Sequence, residues 1–351
     1  MPIVLYPVSF FAKYFPSLRT THNPFIPLLP KYHQMEFIPP VFRYKRLLYL
    51  MVPIVVELAF FDRINPAGLL GPDVKKLTGR RDIAGLSRLL EHKDPQVQYE
   101  AAEALGNLGD EKAIGPLITA LKRDEFSGVR WKAAEALSKI GNPAVEPLIA
   151  TLQYPDDDVR WKAAIALGEI GNPDAVEPLI QLLSDDDRFV RSRAAHALSM
   201  IGKEAVGPLI HALQKGDYGV RWGSAMALGK TKNPIAVEPL ILALADQEAM
   251  VRAEAASALA SIGTPALAPL LNFLKGSKGE IRIEVMTALG ELKNADAIEP
   301  LVQLLENADD DERQAIADAI DAILIPDVEP LVRRIRDGNT KKECKDKILR
   351  K

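Results

Sequence analysis

Asp156-Asp157-Asp158-Val159-Arg160-Trp161-Lys162-Ala163-Ala164-Ile165-Ala166-Leu167-Gly168-Glu169-Ile170-Gly171 carries the signals that decide the fold. Its aspartates offer an N-cap oxygen to the orphan N–H groups of a helix start. Its closing glycine takes the left-handed conformation that ends a helix. Projected at 100° per residue from Val159, residues Ala163, Ala166, Leu167 and Ile170 fall within about 80° of it and form one apolar face. The alanines are small enough to let a neighbouring helix approach closely. This stretch is one copy in a series. Val97, Val129, Val159, Val190, Val220, Val251 and Ile281 form one column, with arginine directly after the last six. Pro-Leu recurs at Pro116, Pro147, Pro178, Pro208, Pro239, Pro269, Pro300 and Pro330, 30 or 31 residues apart. A period of this length marks stacked supersecondary units. Each proline falls in the first turn of the unit's other helix, where a missing N–H costs nothing. The expected fold is therefore all-α: a solenoid of about eight two-helix repeats over residues 71–335.

The stretch Asp156 to Gly171, with Ala175-Val176-Glu177-Pro178-Leu179-Ile180 after it, resembles the HEAT-like repeats of the phycobilisome-lyase (PBS lyase) family. The likeness covers about residues 75–335. It implies an armadillo-like superhelix whose second helices line a concave groove. That family includes bilin-lyase chaperone subunits, scaffolds and adaptors, so the fold alone does not carry a function.

Composition excludes several classes. The chain has 351 residues, 48% hydrophobic and 26% charged, within the globular range. Its single cysteine, Cys344, rules out a disulfide framework or a cysteine-based zinc site. No apolar run reaches the roughly 20 residues that a membrane-spanning helix needs. Residues 71–330 carry a net charge of −13, which repels phosphate backbones, so nucleic acid is not an expected partner.

The flanks differ from the body. Residues 1–70 have a net charge of +4, eight of the 11 phenylalanines and five of the 8 tyrosines. Closely spaced prolines there break both helix and strand periods, so a poorly ordered or loosely docked extension is expected. Leu47 to Phe61, after Arg43, Tyr44, Lys45 and Arg46, mimics a short anchor or signal segment, but Pro53 and Glu57 interrupt it. Met35 and Met51 are alternative starts. Residues 336–351 read as a basic tail or cap.

Two columns of the repeat bear on function. Arg130, Arg160, Arg191, Arg221, Arg252 and Arg282 flank the apolar face beside acidic turns, which suggests a structural ladder of ion pairs between repeats. The next position points about 200° from the valine, off the core. It reads Tyr99, Trp131, Trp161, Ser192, Trp222, Ala253 and Ile283, and holds all three tryptophans of the chain. Aromatic residues on an open face are the anchors that interfaces use. Lys132, Glu135, Lys162, Ile165, Phe189, Arg193, His196, Tyr218 and Met226 are read as exposed neighbours on the same groove. The alternative is that each ring simply covers the next helix in the stack. The fifth unit has Lys230-Thr231-Lys232 where others end in Ile-Gly, leaving a local bend open.

Chemistry is sparse. His196 and His211 lie in repeats but lack the i, i+4 spacing of a metal pair. The His-Glu dipeptides by which HEAT-like metal hydroxylases hold iron are absent. No glycine-rich phosphate loop occurs, and the carboxylates sit in exposed turns where nothing raises a pKa. The expected protein is a non-catalytic, cytoplasmic, monomeric adaptor that needs no cofactor, does not engage membranes, and holds a protein or peptide in its groove. The alternative is a bilin-lyase-like subunit cradling a tetrapyrrole or its acceptor protein.

Overall fold

The computed structural model describes residues 72–123 and 126–323. The expected extension over 1–70, the basic tail over 336–351 and the eighth Pro-Leu at Pro330 lie outside the described residues. A short helix, α1 (Pro72–Gly79), precedes the array. The first helices of the repeats are α2 (Ile83–Leu89), α4 (Ile114–Leu121), α6 (Val145–Thr151), α8 (Val176–Gln181), α10 (Lys203–Lys215), α12 (Val237–Ala243), α14 (Leu267–Gly276) and α16 (Ile298–Leu304). The second helices are α3 (Pro95–Leu108), α5 (Ser127–Ile140), α7 (Asp157–Ile170), α9 (Arg188–Ile201), α11 (Tyr218–Thr231), α13 (Ala249–Ile262), α15 (Gly279–Leu292) and α17 (Asp310–Ala322). No strand occurs among the described residues. The chain is an all-α solenoid.

Two leucine columns build its core. Leu117, Leu148, Leu179, Leu209, Leu240, Leu270 and Leu301, each following its proline, have no exposed surface. Neither do Leu105, Leu137, Leu167, Leu198, Leu228, Leu259 and Leu289 of the second helices. Each buried leucine contributes about 1.5–3 kcal/mol of transfer free energy. Second helices pack on one another far more extensively than first helices do and form one continuous row, called the inner row below.

The inner row has a period of two repeats. Gly106, Gly168, Gly229 and Gly290 lie in α3, α7, α11 and α15, where an added Cβ would meet the Cα of Ala136, Ala197, Ala258 and Ala319 at 2.6–2.8 Å. The same position in α5, α9 and α13 holds Ser138, Ser199 and Ala260. Helix ends alternate in step. α3, α7, α11 and α15 close on a left-handed residue, namely Gly109, Gly171, Lys232 and Lys293. Each is followed by a side-chain cap from Asp110, Asn172, Asn233 or Asn294. α5, α9 and α13 close on Gly141, Gly202 and Gly263 with ψ near −140°, and the next turn begins one residue sooner without a side-chain cap. From Pro147 onward the Pro-Leu spacing accordingly alternates 31, 30, 31, 30, 31.

Lys230-Thr231-Lys232 is therefore no interruption. Lys232 (φ 52°) does the work of Gly109 (φ 65°), donating its N–H to the Gly229 carbonyl. A lysine in that conformation is strained by about 1 kcal/mol relative to glycine. Lys232→Gly is expected to stabilise the array by about 0.5–1 kcal/mol. A lower urea midpoint for the variant would contradict this assignment.

Candidate functional site

The aromatic side chains of the second helices that stack on one another come from α5, α7 and α9. Trp131 and Trp161 occupy equivalent positions one repeat apart, with ring centroids 5.6 Å apart and planes tilted by 37°. Phe189 continues the ladder edge-on to Trp161 at 5.4 Å. It comes from the first turn of α9, where it fills the place left by the small Ser192. Trp131 is 37% exposed and Phe189 38%. Trp161 lies between them, half-buried, its indole N–H donating to Asp158 Oδ1 at 3.1 Å. Tilted and edge-on arrangements are those that aromatic quadrupoles prefer. The result is one continuous aromatic surface across three repeats.

Four of the expected groove residues are buried, and Arg193 and His196 are half-buried. Lys162 is 1% exposed and Lys132 is also buried, because a residue three past the valine lies only about 60° from it on the helical wheel. The Lys162 stem runs beneath Trp161, placing Nζ 4.2 Å from the ring centroid, and ends on Asp158 and Ser127 Oγ. Lys132 lies 4.8 Å from the Tyr99 ring and pairs with Glu135 at 2.6 Å. Burial alone would lower its pKa, but the Glu135 and Tyr99 interactions outweigh burial and raise it. Ile165 is buried as well. Trp222, 4% exposed, is withdrawn from the aromatic column. Ser192 offers it no ring to stack on, Arg188 covers it at 5.9 Å, and its indole N–H has no partner. Tyr99, Glu135 and Met226 are half-buried, and Tyr218 is 42% exposed.

The arginine column is mostly committed within the stack. Arg160 and Arg221 make two-pronged bonds to Asp185 and Asp246 of the next repeat, at 2.7 and 2.9 Å in each case. Arg130 pairs with Asp156 and Asp158, Arg252 with Glu284, and Arg282 with Glu312. Arg191 departs from the expected ladder. It donates to the Asp185 and Asp186 carbonyls of its own turn, while the next repeat's Asp217 is occupied by Ser184 and by the N–H of Val220.

Beside the aromatic ladder lies a small cationic cluster that sequence reasoning recognised only in part. Arg193 lies 4.5 Å from the Phe189 ring and 5.6 Å from Trp161. Burial pulls its guanidinium below the ordinary value. Lys230, read in the sequence as part of a broken stop signal, is exposed as a whole residue, yet its ammonium is lowered by desolvation and then by Arg193. His196 is lowered by burial, then by Lys230 and Arg193. With its folded pKa below the unfolded value of about 6.5, stability is fully present above about pH 6.5 and is lost as pH falls through the folded value. His196→Gln is expected to flatten the fall in melting temperature between about pH 7 and pH 5. Parallel curves for the two proteins would refute it. Among the described residues no three His, Cys, Asp or Glu side chains are grouped as metal ligands, and no single helix is long and apolar enough to cross a membrane.

Comparison with known proteins agrees with the architecture. HEAT repeats match residues 83–158, 145–210, 202–260, 237–321 and 267–341. Deoxyhypusine hydroxylase of Rattus norvegicus is 38% identical over 93 residues, covering 26% of this chain and 28% of that protein. The bilin biosynthesis protein PecE of Nostoc sp. is 38% identical over 98 residues, covering 26% and 39%. The chain thus matches well under half the length of either relative. The solved complex of CpcE and CpcF of phycocyanin lyase from Nostoc sp. aligns at 23% identity and a TM-score of 0.30, over 73% of this chain and 94% of that one. The overlapping matches span more than half of the sequence, and the chain belongs to the HEAT-repeat family.

Proposed function

We propose that this protein is a non-catalytic, cytoplasmic, monomeric adaptor that holds a protein or peptide along the inner row of helices. The observation that carries this reading is the ladder of Trp131, Trp161 and Phe189, open to solvent at its two ends. A solenoid of preformed helices orders little on binding, so contact with large rigid rings is converted efficiently into affinity. Truncating one such anchor costs more than about 2 kcal/mol when it is a hot spot, roughly a 30-fold loss. The test is affinity capture by the full chain from native lysate, against Trp131→Ala combined with Phe189→Ala. These open rings are chosen because their removal leaves the leucine core intact. The expected result is loss of the captured protein with unchanged helical circular dichroism. Undiminished capture by the folded variant would move the interface elsewhere.

A second reading rests on the 98-residue likeness to the bilin biosynthesis protein PecE. On it, the same ladder cradles a linear tetrapyrrole or the protein that accepts one. Red-shifted visible absorbance on mixing the purified chain with a bilin, abolished by Trp161→Ala, would favour it over the adaptor reading.

A further inference from the structure

The environment of Arg193 differs from that of the basic residues equivalent to it. In α7 the corresponding residue is Lys162, and four residues before it stands Asp158, which neutralises it by an i, i+4 ion pair. In α5 the residue is Lys132, neutralised by Glu135 and Glu103. In α9 the place of Asp158 is taken by Phe189, so the guanidinium meets a ring where its counterpart meets a carboxylate. The positions that supply Glu103 and Glu135 in the first two repeats hold Ile165, His196 and Met226 in the next three. Arg193 Nε is buried without a hydrogen-bond partner, and among the described residues no carboxylate pairs with the side chain. Lys230 and His196 share its surroundings, with Glu254 the acidic group that acts on Lys230.

A guanidinium offers five N–H donors in a planar fork that matches a carboxylate. Held against two rings and partly desolvated, it gains more from an incoming anion than it would in open water. We infer that the inner face binds an extended peptide in which one Asp or Glu is seated on Arg193 and the apolar side chains beside it lie on Phe189, Trp161 and Trp131. This deepens the adaptor reading and rests on it. Charge selects the occupant. The chain's own flanks, residues 1–70 and 331–351, carry net charges of +4 and +6 and share the sign of Arg193. A nucleic acid would lay successive phosphates along neighbouring repeats, where Glu135, Glu169 and Glu254 stand. A single carboxylate among apolar side chains meets the cation and avoids those acids.

The experiment uses the full chain and two pools of fluorescein-labelled nonapeptides. Both have a fixed central residue, Glu in one and Lys in the other, with aromatic or aliphatic residues fixed on either side and all other positions randomised. The glutamate pool is expected to bind at least about tenfold more tightly than the lysine pool, and Arg193→Gln to abolish that preference. Arg193→Lys, which keeps the charge but lacks the planar fork, is expected to restore it in part. Equal binding of both pools, lost in Trp161→Ala, would overturn the acidic assignment and leave the adaptor reading standing. A glutamate preference untouched by Arg193→Gln and by Trp161→Ala would overturn both. So would binding of neither pool, if the double variant at Trp131 and Phe189 also leaves lysate capture unchanged. Binding of neither pool, with that capture lost, would overturn the acidic peptide alone. Displacement of the glutamate pool by a short RNA, or by a dicarboxylic tetrapyrrole, at lower concentration than by unlabelled peptide would reassign the site and overturn the inference.

Discussion

Gly168→Ala is expected to destabilise the protein by about 1–3 kcal/mol, although the substitution raises helix propensity by about 1 kcal/mol at an ordinary helical position. The added methyl would stand 2.7 Å from Ala197 Cα and 3.0 Å from the Ala197 carbonyl oxygen. Both are backbone atoms, so relief requires α7 and α9 to separate. In a stacked array that opening is transmitted to the interfaces of both neighbouring repeats. The matched control is Ser199→Ala, at the equivalent position of the alternate class, where a side chain already fits; it is expected to change stability by less than about 0.5 kcal/mol. Urea midpoints measure both. Equal effects at 168 and 199 would dissolve the two-repeat period.

Asp246→Ala is expected to cost about 3 kcal/mol, because it strips three bonds at once. Asp246 accepts two from Arg221, at 2.7 and 2.9 Å, and one from the N–H of Glu248 in the turn before α13, at 2.9 Å. The Arg221 and Asp246 side chains are 13% and 12% exposed, so the arginine left behind is poorly hydrated. Breaking one side of such a pair costs more than the intact pair contributes. Burial would raise the Asp246 pKa, but Arg221 and the Glu248 N–H outweigh it and hold the carboxyl below its ordinary value. Its contribution is therefore fully present above about pH 4 and is lost as pH falls through the folded pKa. Asp246→Ala is expected to be less sensitive to acid over that window than the parent protein. A variant that melts like the parent at neutral pH would show that the pair contributes nothing.

The sequence made the architecture legible because each repeat restates it. The leucine columns, the alanine face, the first-turn prolines and the acidic turns recur often enough to outweigh any local ambiguity. The two-repeat period was equally present, in the alternation of Gly168 with Ser199 and in the 31, 30 spacing, but it emerges only when repeats are compared two apart. Lys232 looked like a defect because a left-handed lysine carries no compositional signature. The candidate site was legible in part. Trp131 and Trp161 stand out from their column, and Phe189 from its neighbourhood. Trp222 shares that column, yet it is buried, since exposure depends on what the preceding helix offers to stack on, and Ser192 offers nothing. Lys132 and Lys162 are buried rather than outward because they lie only about 60° from the valine on the helical wheel. The distinctive character of Arg193 was visible as Phe189 standing where α7 has Asp158, a substitution whose meaning depends on the i, i+4 ion pair seen in the fold.

Whether partners meet the inner row of helices is decided by site-specific photo-crosslinking, with a benzophenone amino acid placed singly at Trp131, Phe189, Ile235 or Leu242 of the full chain. Ile235 and Leu242 are the controls, being 70% and 63% exposed and belonging to the turn before α12 and to α12 itself, away from the second helices. A discrete adduct is expected from positions 131 and 189, competed by excess unmodified protein, and none from 235 or 242. Adducts confined to 235 and 242 would contradict it.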